Sequence, residues 1–509
     1  MSTPLDGTFL DVVVVGAGLG GICAAVNLRK QYPHATLGVF EKAAGIGETW
    51  VKKHTRGYAL YSYSFAPNPN WSSTYVSQLK ILSYIEHVAD EHGVAEYILV
   101  NHECLGAAWQ DEKCMWDVQF RNHERGFIYA VHCRILIISV GSLDIPRGPE
   151  NIAGIQDFRG KVFHSVDWDH EVDFSDKNVV VIGNGCSANQ FIPWLLSSAA
   201  VVRLTQVIRS AHWIAPKVDQ EIGTWERWIL HKIPWITQAR RWILAAKFDL
   251  AFAAFRKNRL GRFLRAQLER SLRGYMQRTA PSKYHDLLIP TFPFGAKRPV
   301  LDHGYLAALH DPRVTLIRAE NLRASGPFSL ANNGDDENIP ADIIILANGF
   351  KTQSLLTPMR IEGRNGAALS DLWHEDGKYP SAYMGVAVPS FPSLFMITGP
   401  NTLPLGHSTL LGIEHTVHSI LCVIRALLLR PAKQDRPARR IAVRAAAHDE
   451  FNSDFQSSLD GLIISHDVRN WYVDERTGRN TLVWPGTQLE FWVSRCVRRV
   501  AWGDWEVEE

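Results

Sequence analysis

Two stretches of this 509-residue chain repeat one pattern, in which a β-branched apolar run leads into a glycine-rich turn and then a helix-like segment. Residues 11–15 (DVVVV) precede the turn 16–21 (GAGLGG), and residues 178–182 (NVVVI) precede the turn 183–188 (GNGCSA). Continuous runs of this kind are typical of parallel strands buried on both faces. A strand, a tight glycine turn and a helix form the unit that binds a dinucleotide. The sequence therefore predicts an α/β fold with two Rossmann-like dinucleotide-binding domains.

The first turn has a glycine at each place where a dinucleotide site needs one. Gly16 permits the tight turn, Gly18 lets the main chain approach a pyrophosphate, and Gly21 allows the helix to pack closely on the strand. The next predicted strand ends at Glu41, whose carboxylate can accept hydrogen bonds from ribose hydroxyls and would repel a 2′-phosphate. This unit is therefore predicted to hold FAD or NAD rather than NADP. The candidate cofactor-binding residues are Gly16, Gly18, Gly20, Gly21, Glu41 and Lys42.

The second turn carries alanine at its third conserved place, Ala188, which is an accepted variant of the motif. The strand that follows, residues 204–208, ends at Arg209 and Ser210 instead of at an acid. A guanidinium can bind a phosphate in a bidentate manner, which a carboxylate in that place would oppose. The second site is therefore predicted to bind NADPH. Its candidate residues are Asn184, Gly185, Cys186, Ser187, Ala188, Gln190, Arg209 and Ser210.

Further elements follow from periodicity. Residues 76–92 have the spacing of an amphipathic helix, and residues 410–429 that of an apolar one. Short strands are expected at residues 97–100, 106–109, 116–120, 127–131 and 135–140.

Between the two nucleotide units, residues 158–169 have the spacing Phe-x-Gly-x-x-x-His-x-x-x-Trp-Asp. This spacing resembles the fingerprint of Baeyer–Villiger monooxygenases, which use FAD and NADPH to insert an oxygen atom beside a ketone. Five specified positions should coincide by chance in roughly one in 10⁴–10⁵ chains of this length. The C-terminal part is similar to the fungal and 4-hydroxyacetophenone-monooxygenase-like branch. In the family the fingerprint is an interdomain linker, so its residues receive no chemical role. The similarity is strongest over residues 11–50, 158–213, 291–299 and 342–415.

The resemblance implies roles for residues elsewhere in the chain. Lys297 would add a second cation for the 2′-phosphate, and Arg298 would reach the flavin as the catalytic residue. A guanidinium there would stabilise a C4a-peroxyflavin and then the oxyanion that forms on the ketone. The expected product is an ester or a lactone. The resemblance also implies cofactor contacts from Thr49, Trp50, Tyr61, Cys104, Thr409 and Trp471.

The chain departs from the family in one segment. Residues 51–60 (VKKHTRGYAL) contain no acid, whereas the family has about six more residues there and an aspartate beside the flavin. Without that carboxylate the catalytic arginine would lose a supporting partner. Two alternatives therefore stay open: a flavin monooxygenase that oxygenates nitrogen or sulfur, and a catalytically impaired flavoprotein that oxidises NADPH.

Residues 220–280 are rich in Trp, Arg, Leu and Phe at helical spacing. The favoured interpretation is a helical insertion, at about residues 220–290, which covers the substrate entrance. The alternative is an amphipathic patch that contacts a membrane surface and delivers a lipophilic substrate. Around this insertion we expect an FAD-binding domain of residues 1–143 and 351–509 and an NADP-binding domain of residues 144–350.

Composition limits the classes of ligand and partner that this chain is expected to bind. A net charge of +2 gives no reason to expect nucleic acid. The seven cysteines form no Cys-x-x-Cys pair, so no metal site is predicted. The apolar residues 12–28 follow no basic segment and are interrupted by glycines, unlike a signal peptide. We expect a cytoplasmic protein, with or without membrane association, that acts as a monomer or homodimer on O₂ and a lipophilic small molecule.

Overall fold

The chain is represented by a computed structural model that describes residues 5–47, 50, 56–58, 62–319, 321–332, 338–406, 408–429, 439–465, 468 and 470–508. Its strands are β1 Thr8–Val15, β2 Leu37–Phe40, β3 Arg56–Tyr58, β4 Tyr75–Ser77, β5 Ile98–Leu99, β6 His102–Gln110, β7 Met115–Asn122, β8 Ile128–Ile138, β9 Lys161–His164, β10 Asn178–Ile182, β11 Arg203–Ile208, β12 Ile214–Pro216, β13 Val300–Asp302, β14 Val314–Arg318, β15 Leu322–Gly326, β16 Ser329–Asn332, β17 Ile339–Pro340, β18 Ile343–Leu346, β19 Arg360–Glu362, β20 Leu394–Met396, β21 Leu403–Pro404, β22 Arg440–Val443, β23 Val483–Trp484 and β24 Trp505–Glu508. Its α-helices are α1 Leu19–Gln31, α2 Gln78–Glu91, α3 Cys186–Ser198, α4 Thr224–Lys232, α5 Pro234–Phe252, α6 Arg259–Thr279, α7 His285–Leu288, α8 Tyr305–Ala308, α9 Leu369–His374, α10 Thr409–Leu428, α11 Ala445–Asp460 and α12 Gln488–Trp492. A π-helix, Val493–Val497, follows α12.

The larger sheet has eight strands in the order β19-β6-β7-β8-β1-β2-β5, and β20 also pairs with β8. Its centre, β1, runs parallel to both β2 and β8. Val12 and Val14 pack on one face in a core shared with α1 and α10, whereas Val13 and Val15 pack into a second core on the other face. Burial on both faces explains why the β1 sequence is a continuous apolar run.

The smaller sheet contains five parallel strands in the order β14-β11-β10-β18-β9. Its central strand, β10, places Val179 and Val181 in the core beneath α3 and Val180 in the core on the opposite face. Each sheet thus has a strand–turn–helix unit at its centre. The predicted α/β class with two Rossmann-like units is confirmed.

The prediction of separate strands at residues 127–131 and 135–140 was wrong. One strand, β8, covers both segments and continues through His132 and Arg134. Burial alternates along it, with Val131 and Cys133 buried and His132 and Arg134 half-buried. It pairs with β7 on one side and with β1 on the other. The polar residues therefore mark strand alternation rather than a turn. The predicted helices at 76–92 and 410–429 are confirmed as α2 and α10.

The predicted insertion is helical and consists of α4 to α7, between β12 and β13. These two short strands pair in parallel and hold the ends of the insertion together. Leu272 and Met276 of α6 pack into the core beneath α3. Phe252 at the end of α5 packs with Leu405 and Tyr472 in another core. The insertion therefore contacts both halves of the molecule.

Among the described residues, α10 is the one helix long and apolar enough to cross a membrane, and 61% of its most apolar stretch is buried inside the protein.

Candidate functional site

The first glycine turn is tightly packed at three of its glycines and open at the fourth. A Cβ atom at Gly16, where φ is +101°, would lie 2.7 Å from the Ser139 carbonyl oxygen. A Cβ at Gly21 would lie 1.8 Å from the Gly16 oxygen, and Gly20 lies against the Ser139 side chain. At Gly18, by contrast, a Cβ would meet no described atom within 4 Å. The turn therefore has space for a ligand at the place where a pyrophosphate approaches the main chain.

Both glycine turns lead into helices whose first N–H groups lack a side-chain cap. Gly18 is the N-cap of α1 and Gly185 is the N-cap of α3, and the first turns of these two helices contain no acid. Uncapped N–H groups at a helix N-terminus bind anions, because they carry the positive end of the helix dipole. Each turn is therefore suited to a diphosphate.

Glu41 lies at the end of β2, against the first glycine turn. Its buried carboxylate accepts hydrogen bonds from Ala17 N, at 2.7 Å, and Ala43 N, at 2.9 Å. The negative charge is thus held beside the turn, where it suits ribose hydroxyls and opposes a 2′-phosphate. The neighbouring Lys42 places its ammonium 2.6 Å from Asp144.

Two further residues predicted on this side are placed within the fold. Trp50 is half-buried against the core beneath α1, and its main-chain N–H donates to the Gly47 carbonyl oxygen at 2.7 Å. Cys104 is buried in the opposite core, with its thiol 3.8 Å from the Gly106 oxygen. Burial raises the pKa of this thiol to about 12. The Cys104 side chain is therefore a neutral part of the core.

Thr409 is the first residue of α10, and Ser408 caps that helix by accepting a hydrogen bond from Leu411 N. Thr409 lines a small cavity together with Ser142, Thr398, Gly399, Thr402, Leu403, Gly412 and Leu482. The cavity lies where α10 presents its N-terminus. The predicted contacts Thr49 and Tyr61 lie outside the described residues, as do the side chains of residues 51–60.

The second glycine turn repeats the geometry of the first. A Cβ at Gly183, where φ is +116°, would lie 2.3 Å from the Ala347 oxygen, whereas Gly185 has no described atom within 4 Å of that position. Ala188 is fully buried, as the third place of the motif requires. The Asn184 side-chain amide donates to the Ser210 main-chain oxygen at 3.0 Å, which ties the turn to the end of β11. The remaining predicted residues of this turn lie on α3: Cys186 is exposed, and Ser187 and Gln190 are half-buried.

Two cations meet at the end of β11. Lys297 is 8% exposed, and its Nζ donates to Ser210 Oγ at 2.6 Å. Burial and then the nearby charge of Arg209 lower the pKa of Lys297 to about 8. Holding two like charges together is unfavourable unless an anion joins them. The predicted residues Arg209, Ser210 and Lys297 are thus brought together as a site suited to a phosphate.

His212 belongs to the same cluster, although the sequence motifs did not single it out. Burial, Lys297 and Arg209 together lower the pKa of His212 to about 4, so its imidazole is neutral. Its Nδ1 is buried and has no hydrogen-bond partner among the described residues. Its position three residues after Arg209 was the available signal. A neutral imidazole here can hydrogen-bond a ligand that the two cations attract.

Arg298 joins the second nucleotide unit to the C-terminal part of the chain. Its side chain hydrogen-bonds the Tyr472 hydroxyl, near Cys186 at the start of α3. Burial raises the pKa of Tyr472 to about 12, against the opposing effect of the Arg298 charge. Tyr472 shares a core with Leu403 and Leu482, two residues that line the cavity at the start of α10. Arg298 is therefore anchored next to the core that borders this cavity.

Trp471 is fixed beside that contact. Its ring packs against the Tyr472 ring at a tilt of 33°, with the centroids 4.1 Å apart. Its carbonyl oxygen accepts hydrogen bonds from Thr352 Oγ1 at 2.8 Å and Gln353 Nε2 at 3.3 Å. The loop that carries Trp471 is thereby held to residues 352–353, which follow β18 of the smaller sheet.

The fingerprint segment has a structural role. His164 Nδ1 accepts from Val166 N, so Nε2 carries the proton that it donates to the Gly349 oxygen at 3.2 Å. Trp168 packs edge-on against Phe163 and against two aromatic residues of α3. These contacts hold β9 against α3 and tie its end to Gly349, which follows β18.

Comparison with known proteins agrees with this geometry. The family model described as flavin-binding monooxygenase-like matches residues 12–233. A Baeyer–Villiger monooxygenase of Streptomyces coelicolor is 33% identical over 508 residues, which cover 97% of this chain and 92% of that protein. The FAD-binding monooxygenase ktnD of Aspergillus niger is 31% identical over 98% of this chain and 82% of its own length.

Solved structures share the fold. A cyclohexanone monooxygenase from Rhodococcus sp. Phi1 bound to NADP⁺ has a TM-score of 0.83 at 21% identity, covering 99% of this chain and 100% of that one. An oxidised steroid monooxygenase bound to NADP has a TM-score of 0.82 at 24% identity, with the same coverage. The resemblance read from the motifs is confirmed. The chain belongs to the Baeyer–Villiger monooxygenases, within the flavin-binding monooxygenase family of FAD- and NADPH-dependent enzymes.

Proposed function

We propose that this protein converts a lipophilic, cyclic ketone into an ester or lactone. The observation that carries the proposal is the opposite charge at the two nucleotide units. The first ends at the buried Glu41 carboxylate, and the second ends at Arg209 and Lys297. Such a pair selects one dinucleotide without a 2′-phosphate and one with it. This is the combination of FAD and NADPH.

The residues that would hold each cofactor follow from this assignment. The open main chain at Gly18 and the start of α1 would bind the FAD diphosphate, with Glu41 on its ribose. Gly185 and the start of α3 would bind the NADPH diphosphate, and the Arg209 and Lys297 cations would bind the 2′-phosphate. The FAD domain would then comprise residues 1–143 and 351–509, and the NADP domain residues 144–350.

Arg298 would act on the substrate side of this arrangement. Its guanidinium is a permanent cation held by the Tyr472 hydroxyl, so it is oriented before substrate binds. It would stabilise the negative charge that develops on the ketone oxygen when that carbonyl is attacked. When bound, the two cofactors supply the reducing equivalents and the activation of O₂. The helices of the insertion would cover the entrance and exclude water.

A second candidate is oxidation of NADPH without oxygen transfer. It is favoured by residues 51–60, which contain no carboxylate where the family has an aspartate. In this case Arg298 would keep its position but would lack the carboxylate partner that supports it. Oxygenation of nitrogen or sulfur is a third outcome of the same assay. The expected partners are O₂ and a lipophilic small molecule. The protein would act as a cytoplasmic monomer or homodimer, with or without membrane association.

The test replaces Arg298 by alanine and compares it with Arg159→Ala, an exposed arginine away from these contacts. We expect Arg298→Ala to lower ester formation about 10²–10³-fold, because one preorganised partner of the developing charge is lost. Bound FAD, measured by absorbance, should be unchanged. Products from a panel of ketones, amines and thioethers are identified by mass spectrometry, together with released H₂O₂. Equal ester yield in both variants would exclude the role of Arg298. Hydrogen peroxide as the sole product of the unmodified protein would support the second candidate.

A further inference from the structure

The helical insertion turns an apolar face toward the solvent. Leu250, Trp235 and Trp242 of α5 are 76%, 70% and 52% exposed, and Ile243 and Ala246 are also exposed. On a helix these five positions fall within one stripe, because they are spaced by seven, eight, eleven and fifteen residues from Trp235. A surface helix ordinarily places its polar side outward. In α5 the outward stripe is the apolar one.

The opposite side of α5 is anchored to the protein. Thr237, Arg241 and Phe252 are buried there. The Arg241 guanidinium donates to the Ser62 main-chain oxygen and lies 3.5 Å from the Glu414 carboxylate of α10. The apolar stripe is therefore held in a fixed orientation relative to the FAD-binding half.

Neighbouring elements extend this face. On α4, Trp225 and Trp228 are exposed and stack with their ring centroids 4.7 Å apart. An ion pair between Glu226 and Arg240 holds α4 to α5. The short helix α12 also borders this face: its Trp492 contacts Trp242 edge-on, and its Leu489 is exposed. We call this face the insertion surface: Trp225, Trp228, Trp235, Trp242, Ile243, Leu250 and Leu489, with the exposed Lys232 and Lys247 beside them.

Charge indicates what covers the insertion surface. Residues 224–279 contain thirteen Lys and Arg but three Asp and Glu, in a chain whose net charge is only +2. Of the three acids, Asp249 accepts main-chain hydrogen bonds from residues 488 and 489, and Glu269 accepts one from Phe294 N. Eight of the thirteen basic residues lie in residues 256–278, whereas Lys232 and Lys247 are exposed beside the apolar stripe itself. Exposed tryptophans beside lysines suit the headgroup region of an anionic membrane.

We propose that the insertion surface docks on an anionic phospholipid bilayer. A second copy of this chain is a poor occupant, because a twofold interface would place the same basic region against itself. A bilayer accommodates the exposed tryptophan and leucine side chains and neutralises the lysines at once. Docking goes beyond the proposed function and does not depend on turnover. It also places the insertion, and the entrance that it is proposed to cover, beside the phase in which a lipophilic ketone dissolves.

The experiment measures sedimentation of the FAD-loaded full chain with vesicles of phosphatidylcholine, with and without phosphatidylglycerol. We expect strong binding to the anionic vesicles only, weakened by salt. Trp235→Ser, Trp242→Ser and Leu250→Ser together should lower partitioning roughly 100-fold. Lys232→Gln with Lys247→Gln should lower partitioning about 25-fold, since each lysine near an anionic surface contributes about fivefold.

Matched controls separate docking from general surface changes. Leu79→Ser, Ile128→Ser and Phe328→Ser remove three exposed apolar side chains elsewhere, and Lys30→Gln with Lys113→Gln remove two exposed lysines. Both controls should sediment like the unmodified protein, and FAD absorbance confirms folding of every variant. The proposal is overturned if the unmodified protein ignores anionic vesicles, or if insertion variants and controls sediment equally. It is also overturned if the Trp235 triple variant only converts a dimer into a monomer in light scattering.

Discussion

Lys297 offers a pH-dependent test of the second nucleotide site, because its ammonium titrates within an accessible range. Burial and the neighbouring Arg209 lower the pKa of Lys297 to about 8. The other groups that face it do not titrate nearby: Arg209 stays charged, and the pKa of His212 is lowered to about 4. Ser210, which accepts its hydrogen bond, is neutral. Any pH dependence specific to the 2′-phosphate above neutrality should therefore come from Lys297.

The sign and size of the pH effect on NADP⁺ affinity follow from the linkage between proton binding and ligand binding. A bound 2′-phosphate places negative charge beside the ammonium and raises the pKa of Lys297 in the complex. The affinity for NADP⁺ is therefore highest below pH 8, where Lys297 is charged, and it decreases as the pH rises through this value. At pH 9 about one molecule in eleven carries the ammonium if the pKa is 8. We expect NADP⁺ to bind roughly tenfold more weakly at pH 9 than at pH 7.

Calorimetric titration of the FAD-loaded protein with NADP⁺ across this range measures the effect. NAD⁺, which lacks the 2′-phosphate, is the ligand control and should bind with little pH dependence. Lys297→Arg keeps the charge but cannot titrate in this range, so its NADP⁺ profile should be flat. The reasoning is refuted if NADP⁺ and NAD⁺ weaken equally with pH, or if Lys297→Arg retains the slope of the unmodified protein.

Three further predictions concern the fold and the cofactors. Glu414→Gln removes one partner of a buried ion pair and should destabilise the fold by about 3–5 kcal/mol in urea unfolding, because Arg241 is left without a counter-charge. Glu226→Gln, in an exposed pair, should cost about 0–1 kcal/mol, and equal costs would contradict this account. Arg209→Ala should raise the NADPH KM about 10–100-fold and leave the NADH KM nearly unchanged in steady-state assays; equal changes would show that Arg209 does not bind the 2′-phosphate. Gly18→Ala meets no described atom, so the protein should fold by circular dichroism yet retain less FAD; full FAD content would place the diphosphate elsewhere.

The local parts of the site were predictable from the sequence. A strand buried on both faces requires a continuous apolar run, and a turn into a helix requires glycines at set places, so residues 11–21 and 178–188 specify their own structure. The residue that ends the next strand lies beside the turn in any such unit. The opposite charges at Glu41 and Arg209 could therefore be assigned before any tertiary structure was known.

Contacts between distant segments were decided only by the tertiary structure. His212 lies beside Lys297 because the insertion begins and ends at the paired strands β12 and β13. Arg298 bonds to Tyr472, which lies in the C-terminal part of the chain, so no local pattern specifies this contact. The polar interruption in β8 could be interpreted as a turn until its alternating burial was seen.

The insertion shows the same division between sequence and structure. By itself, the sequence determined that α5 has an apolar stripe, because helical periodicity is a local property. It could not determine whether that stripe faces inward or outward. Periodicity gives the spacing of side chains but not the side on which a neighbour packs. The burial of Arg241 against Glu414 decided the orientation and left Trp235 and Leu250 facing the solvent.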